Sequence, residues 1–433
     1  MLQYSWLLPF AVIIMANAMV PLPCAEGVRR NVQMKTIIKT QTFLSPLFTL
    51  TPGSVAEKFY YHINFPKSHI AIKSFDHVEI VDESGNPQPL SEAYLHHWAA
   101  VRYYQRKDAA DPDPNTSFTQ LQEPDFMIAG NNGVCQKQSL PQFYGMGSES
   151  RETSTFLPHP YGIEVGDASQ VPAGYEERWC LNVHVIDTRG AENKLGCMEC
   201  WCDLYNVTAD QFGVPLGPHY RGGLRCCYDG AQCRVSGSGY GRNLFVRYTV
   251  KWVDWDDFVV PVEVYIFDVT DTWNPFTDDS DQDPQHHCLV EYDVVANCNN
   301  NPTNKGYDEC NATKRTRLML PSGGYVIYGV AHQHIGGIGA TLYGEDGRVL
   351  CSSSPIYGEG NEAGYLVGMS TCYPQPGSVK INNGEMMTVE SKYDPTQNHT
   401  GVMALFHVMV AQKLPKSLLK MEALSKVPDD TNI

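Results

Sequence analysis

Short apolar or alternating runs rich in Val, Ile, Tyr and Phe recur along the chain between clusters of Gly, Pro, Asn and Asp. Almost no segment repeats its apolar residues with the 3.6-residue period of a helix, so the pattern predicts a mainly β protein. The predicted strands are 59–65, 77–81, 95–104, 179–186, 244–252, 262–269, 325–334, 340–343, 387–393 and 402–410. Many short strands are typical of β-sandwiches, so we expect two β-sandwich domains of jelly-roll-like form.

Length and local composition predict how the chain is divided. A chain of 433 residues exceeds one ordinary core, which favours two domains. Residues 1–25 hold an apolar stretch followed by small residues, which predicts a secretory signal peptide, with an uncleaved signal anchor as the alternative. Five aspartates mark 271–285 as an acidic linker. We therefore expect a first β-sandwich over 36–270, a second over 286–412 and a peripheral tail over 413–433.

Cysteine and sequon content predict an exported glycoprotein. The chain has 14 cysteines, and in an oxidising compartment most of them should form disulfides. N-glycosylation sequons begin at Asn115, Asn206, Asn311 and Asn398. The densest cysteine group is Cys197, Cys200, Cys202, Cys226, Cys227 and Cys233. Disulfides that staple long loops are favoured for this group, and a zinc knuckle is the alternative. We expect a secreted (apoplastic) location, or else the lumen of the endomembrane system.

Net charge excludes one class of partner. The formal charge is −16, and the chain has no basic block beyond short Lys/Arg pairs. Nucleic acid is therefore not expected as a partner. No integral membrane domain is expected beyond the alternative signal anchor.

Histidines are the best candidates for chemistry. His332 and His334 lie two residues apart on a predicted strand, so their rings share one face and can reach one metal ion. His96 and His97 are neighbours on another strand, where side chains alternate, so joint ligation requires a bulge, a twist or ligation through different ring nitrogens. His184 is a further candidate ligand. For each single histidine, an ordinary structural role is the alternative interpretation.

Further candidate residues lie in or just before the predicted strand 402–410. Met403 offers a thioether, and imidazole with thioether is a copper-type donor set, although a core role is the alternative. His407 follows four residues later and can act as an acid or base, or can simply be buried. His399 competes with Met403 as a ligand, but its sequon position predicts exposure.

Long motifs identify a family resemblance. They occupy 42–46, 94–98 (Tyr-Leu-His-His-Trp), 184–189, 195–200, 202–208, 328–334 (Tyr-Gly-Val-Ala-His-Gln-His), 342–348 and 368–374. In these motifs the chain closely resembles the plant stress-up-regulated nodulin family over nearly its whole mature length. That family name describes expression and implies no chemistry.

A more distant resemblance implies a reaction. A His-His pair, a later lone histidine, a His-x-His after Pro-Ser-Gly-Gly and a downstream methionine resemble the copper type II, ascorbate-dependent monooxygenases, which have two β-sandwich domains with one copper each. The resemblance implies an electron-transfer copper and a dioxygen-binding copper. The ligands would be His96, His97 and His184 for the first and His332, His334 and Met403 for the second.

Two residues depart from the pattern of those enzymes, and the second bears on the substrate. Trp98 stands where they usually carry methionine, and Val330 stands where the peptide-amidating branch carries an arginine that pairs with its substrate carboxylate. A peptide with a free carboxylate is therefore not expected as the substrate.

The leading hypothesis is a secreted protein with two coppers that oxidises a small organic substrate with ascorbate and dioxygen, with His332, His334, Met403 and His407 as catalytic candidates. The alternative is a non-catalytic secreted stress glycoprotein that binds metal or a cell-wall or membrane component.

Overall fold

The structure is a computed structural model, and it describes residues 37–113, 116–121, 123–132, 141–272, 288–296 and 311–415. The expected signal peptide, most of the acidic linker and nearly all of the tail lie outside these residues. Asn115 lies outside them as well.

The described residues form twenty-two strands. They are β1 (Lys39–Leu44), β2 (Phe48–Leu50), β3 (Val55–Tyr61), β4 (Ile70–Asp82), β5 (Ala93–Arg106), β6 (Phe126–Ile128), β7 (Phe143–Tyr144), β8 (Tyr161–Val165), β9 (Tyr175–Asp187), β10 (Arg242–Asp254), β11 (Val260–Pro261), β12 (Glu263–Asp268), β13 (Glu291–Val294), β14 (Ala312–Met319), β15 (Gly324–Gln333), β16 (Gly337–Tyr343), β17 (Val349–Ser353), β18 (Pro355–Tyr357), β19 (Leu366–Met369), β20 (Lys380–Ile381), β21 (Met386–Tyr393) and β22 (His399–Ala411). The mainly β prediction is confirmed.

Helices in the described part of the chain are short. The α-helices are α1 (Lys194–Met198) and α2 (Cys202–Tyr205), and the 3-10 turns are Phe118–Gln120, Ser148–Arg151, Leu224–Cys226 and Gly360–Glu362. Among the described residues, no helix has the length and apolarity needed to cross a membrane.

Strand pairing separates the sheets into two groups. The earlier group is formed by β1 to β11 and the later group by β12 to β22, in the order of the sequence. In the earlier group, one sheet has the order β1-β10-β4-β8-β11, with β2 also on β10, and a second has the order β3-β9-β5-β6, with β7 also on β5. In the later group, the orders are β12-β22-β15-β20, with β13 also on β22, and β14-β21-β16-β17, beside the small pair β18-β19. Every described strand thus pairs within its own group, as two sandwiches require.

Burial patterns explain why these segments form strands. In β14 the exposed and less exposed positions alternate, as expected for a strand with one wet face. In β22 all 13 residues are buried, because this strand lies between β12 and β15 and is covered on both faces. Such a strand shows no alternation in its sequence and reads as a continuous apolar run with a few polar exceptions. Those exceptions include His399 and His407.

One segment of the earlier group packs directly on the later group. The Ser148 hydroxyl donates to the Leu366 carbonyl over 2.7 Å, and Arg151 pairs with Glu362. Close by, the Met369 amide donates to the Thr153 hydroxyl over 2.9 Å. The two groups also contribute side chains to a single hydrophobic core, in one compact unit that begins at Ile38. The exact domain limits given above stay a prediction.

Disulfides hold the long loop between β9 and β10. Cys197 pairs with Cys233, Cys200 with Cys227 and Cys202 with Cys226. We call this group the disulfide knot. The predicted role of these disulfides in stapling the loop is confirmed. The alternative, a zinc knuckle, does not hold, because the six cysteines are paired with one another. A further disulfide joins Cys351 to Cys372 in the later group.

Candidate metal centre

A β-bulge brings His96 and His97 to the same side of strand β5. The pairing of β5 with β9 shifts register between Leu95 and His97, and His97 lies directly opposite His184. A bulge adds one residue to a strand, so two neighbouring side chains can escape strict alternation. Ring nitrogens of His96, His97 and His184 lie within 4.8 Å of one another. These three residues, predicted as one ligand set, are therefore brought together.

The second predicted ligand set, formed by His332, His334 and Met403, lies on strand β22 and at the end of strand β15. His332 lies opposite Leu405 in the sheet, so Met403, two residues before Leu405, is on the same face as His332. His334 is held just past the end of β15 by Tyr393. The Tyr393 hydroxyl accepts from the His334 amide over 2.7 Å and donates to the Met403 carbonyl over 2.6 Å. This buried hydroxyl fixes His334 beside Met403, a role that the sequence did not reveal.

His97 connects the two sets. Its Nδ1 lies 2.8 Å from the Nδ1 of His96. On the other edge of the ring, its Nε2 lies 3.2 Å from the Nε2 of His332 and 3.0 Å from the Nε2 of His334. The two ligand sets, assigned above to one copper in each half of the chain, are therefore adjacent and share a ring. We call His96, His97, His184, His332 and His334 the imidazole cluster.

Hydrogen bonds on the outer edges of the rings orient the cluster. The His184 Nε2 donates to the Cys227 carbonyl over 2.9 Å, which leaves its Nδ1 buried without a hydrogen-bond partner. The His332 Nδ1 contacts the Glu149 carboxylate at 2.5 Å, which places the proton on Nδ1 and the lone pair on Nε2. A carbonyl or carboxylate that fixes the tautomer in this way is the usual support of a metal-binding histidine.

The other two outer rings lie near backbone groups. Desolvation dominates the lowered pKa of His96 and of His334, and the backbone at Met198 and at Gly401, respectively, acts against it. The Nε2 of His96 also lies 3.7 Å from Cys200 Sγ, so the disulfide knot forms one wall of the cluster. The knot thereby supports the site as well as the loop.

Glu149 is a residue of the site that the sequence did not reveal. It is 1% exposed and lies in the one-turn helix Ser148–Arg151 of the earlier group, yet its carboxylate contacts His332 of the later group. Gly147 allows this approach, because a Cβ at that position would lie 2.5 Å from the His96 carbonyl oxygen and 3.0 Å from Glu149 Oε2. Nothing in the sequence Gly-Ser-Glu-Ser marks it, since the contact spans 183 positions.

Burial keeps four rings of the cluster uncharged near neutral pH. Desolvation, followed by repulsion among the rings, lowers the pKa of His96, His97 and His334 well below the ordinary value for histidine. Desolvation also lowers the pKa of His184 to about 4. Neutral imidazoles present lone pairs, which is the state that a metal ion requires.

The cluster opens onto a cleft of about 470 Å³. His97, His184, His332 and Met403 all line this cleft. Its other walls are largely aromatic and aliphatic, and they include Phe59, Trp98, Met146, Phe212, Leu224 and Leu405. A volume of this size suits a small organic molecule.

Two carboxyl groups lining the cleft are also perturbed. Glu57 lies opposite His184 on β3, so Glu57, His184 and His97 form one row across the sheet. Desolvation, followed by repulsion from Asp229, raises the pKa of Glu57 to about 7. Desolvation also raises the pKa of Glu291 to about 7. Both groups are poised to exchange protons near neutral pH.

His407 and His399 lie outside the imidazole cluster. His407 is on the same face of β22 as Met403 but lines a separate cavity of about 50 Å³ with Val330 and Met409. His399 was expected to be exposed, and that expectation is wrong. It is 2% exposed, and its Nδ1 contacts Glu199 at 2.5 Å. Gly336 packs against the His399 ring, since a Cβ there would lie 2.5 Å from it.

Comparison with known proteins identifies the family. The sequence profile of the family described as stress up-regulated Nod 19 matches residues 36–413. The chain belongs to the stress up-regulated Nod 19 family. The match includes every residue of the imidazole cluster, so the cluster lies within the family region of the chain. No curated protein matches the chain.

Solved structures add little to the Nod 19 assignment. The VP2 subviral particle of infectious bursal disease virus has 9% identity and a TM-score of 0.18, with 87% of this chain and 72% of that chain covered. The Gt strain of the same virus has 9% identity and a TM-score of 0.16, with the same coverage. TM-scores this low support no argument about fold or function.

The Glu149 contact predicts an effect on metal affinity. In Glu149→Gln the charge that fixes the His332 tautomer is lost, so we expect copper affinity to fall by about 10- to 100-fold, the usual cost of losing such a partner. Competition with a chromophoric chelator measures this affinity. Glu152→Gln, a change of an exposed acid just beyond the same turn, is the control and should bind like the wild type. Equal affinity in all three proteins would contradict the role of Glu149.

The shifted pKa values predict how stability depends on pH. Between pH 7 and 5 the unfolded chain protonates its histidines, whereas the buried rings stay neutral, so protons favour the unfolded state. The raised pKa values of Glu57 and Glu291 act in the opposite direction, because these groups bind protons first in the folded state.

The histidines outweigh the carboxyl groups. Four cluster rings, together with His407, whose pKa burial lowers to about 3, oppose two carboxyl groups. We therefore expect the melting temperature of the metal-free protein to fall as the pH is lowered from 7 to 5. His184→Gln should show a shallower fall, because it removes one such group. A melting temperature that stays level or rises over this range would refute the assignment.

Proposed function

We propose that this Nod 19-family protein is a secreted copper protein that acts as an ascorbate-dependent, monooxygenase-like oxidoreductase on a small organic substrate. The observation that supports it best is the imidazole cluster itself, in which ring nitrogens from both groups of sheets converge within 4.8 Å of His97. Disulfides in the described part of the chain suit an oxidising, secretory compartment.

The donor set favours copper among the common metals. Imidazole nitrogens suit copper, zinc and iron alike, and copper(II) binds such ligands most tightly of the divalent first-row ions. Met403 adds a soft thioether on the His332 side of the cleft, which suits copper(I). When bound, copper would supply one-electron chemistry and reaction with dioxygen, and ascorbate would supply the electrons.

The protein's own groups would prepare the site. Glu149 and the Cys227 carbonyl hold the rings of His332 and His184 with their lone pairs directed inward. The aromatic walls of the cleft would exclude water from the reacting carbon. Reduction of dioxygen consumes protons, and the Glu57 carboxyl, in the same sheet row as His184, is placed to hold and release one.

Cleft chemistry narrows the substrate. Val330 lines the small cavity with His407, so no cation stands at the position where the amidating monooxygenases carry arginine. Among the described residues that line the cleft, the cation is Arg225, and its guanidinium is already paired with Asp210 over 2.9 Å. These features disfavour a substrate with a free carboxylate and favour an apolar or aromatic body.

A non-catalytic copper-binding role is the second candidate. It is favoured by the burial of the rings, since His96, His184, His332 and His334 are each 6% exposed or less. The two candidates differ in whether bound copper turns over with ascorbate and dioxygen.

Copper stoichiometry and oxygen uptake test the proposal. Protein from a eukaryotic secretory host, reconstituted with copper and freed of excess metal, should hold two coppers per chain, and His332→Ala/His334→Ala should hold one. His219→Ala, at an exposed site, is the matched control and should keep both. The wild type should also consume oxygen with ascorbate faster than the double variant at equal copper.

The outcomes separate the candidates. If the wild type binds copper but none of the proteins shows ascorbate-dependent oxygen uptake, the oxidoreductase role is refuted and the non-catalytic role is supported. No stoichiometric copper in the wild type would refute both.

A further inference from the structure

The two ring nitrogens of His97 have different surroundings from those of the other four histidines in the cluster. Two outer rings use one edge for a hydrogen bond to the protein, His184 to the Cys227 carbonyl and His332 to Glu149, and the rings of His96 and His334 lie near backbone groups. For His97, the hydrogen-bond partners on both edges are imidazole nitrogens. No carbonyl or carboxylate among the described residues accepts a proton from this ring.

The lone pairs converge on two separate points. On one edge, the Nδ1 of His97 faces the Nδ1 of His96, and His184, whose Nδ1 is buried without a hydrogen-bond partner, completes this group. On the other edge, the Nε2 of His97 faces the Nε2 atoms of His332 and His334. Each edge of the ring therefore belongs to its own group of three imidazole nitrogens.

We propose that His97 is a bridging ligand, whose imidazolate ring binds one copper ion through Nδ1 and a second through Nε2. The first ion would be held with His96 and His184, and the second with His332, His334 and the Met403 thioether. When the second ion binds, the remaining N–H proton of His97 is released to solvent, so the bridge carries one negative charge. This inference rests on the proposed copper binding and replaces two independent centres with a coupled pair.

A bridge of this kind fixes the separation of the ions. Metal–nitrogen bonds are about 2 Å long, so ions on opposite nitrogens of one imidazole ring lie about 6 Å apart. The strand geometry supports it, because the bulge at His96 leaves His97 paired with His184 on one side and in contact with strand β15 on the other. Electrons could pass between the ions through a single ring.

Electron paramagnetic resonance with spin counting tests the bridge. The wild type is loaded with copper(II), its copper content is measured, and the spectrum is integrated at low temperature. An imidazolate bridge couples the two copper(II) spins antiferromagnetically, so the integrated signal should be a small fraction of that expected for two isolated ions. In His97→Ala, spins should approach the number of bound coppers, and added free imidazole should restore the coupling. His219→Ala is the matched control and should behave like the wild type.

Each outcome is distinct. Two coppers with coupled spins support the bridge. Two coppers with a full two-spin signal, or only one copper per chain, overturn the bridge while copper binding stands. No bound copper overturns the proposed function and the bridge together. The wild-type spin count decides the question even if His97→Ala does not fold.

Discussion

The candidate site depends on one constraint. Five buried imidazole rings lie side by side, and each ring must find a hydrogen-bond partner. At the same time, the lone pairs of the rings must stay directed toward one another. A buried polar group without a partner is costly, so two of the outer rings are tied on their far edges to a carbonyl or a carboxylate. The Cys227 carbonyl and Glu149 do this for His184 and His332. The remaining nitrogens face inward, and that concentration of neutral lone pairs is what a metal ion would stabilise.

The supports of the cluster come from distant parts of the chain, and this links stability to the site. The disulfide knot provides the wall behind His96 and the acceptor for His184. The segment around Glu149 serves two purposes, since Ser148 and Arg151 join the two groups of sheets while Glu149 orients His332. Loss of packing at this junction would therefore also displace ligands from both groups of sheets.

Much of the fold could be predicted from the sequence because strand patterns are local. The alternating and apolar runs marked the strands that carry His97, His184 and His332, and the two-residue spacing of His332 and His334 placed both rings on one face. The requirement for a bulge at His96 could be stated because adjacent residues on a regular strand point apart. The structure contains that bulge.

The remaining features could not be predicted because they are set by contacts between distant segments. Glu149 and Tyr393 have no local signature, and their roles follow only from where the later group packs. His399 was assigned to the surface from its sequon, but β22 is buried along its whole length, and Glu199 receives its ring. The proximity of the two ligand sets through His97 is likewise a consequence of how the two groups of sheets meet.

Anomalous X-ray diffraction from crystals of the copper-loaded protein, measured on both sides of the copper absorption edge, would show directly whether the imidazole cluster binds copper. The proposed copper site predicts anomalous density specific to copper within bonding distance of the Nε2 atoms of His332 and His334, with further copper density on the His96 and His184 side of the His97 ring. Copper density confined to surface histidines, or none at the imidazole cluster, would contradict it.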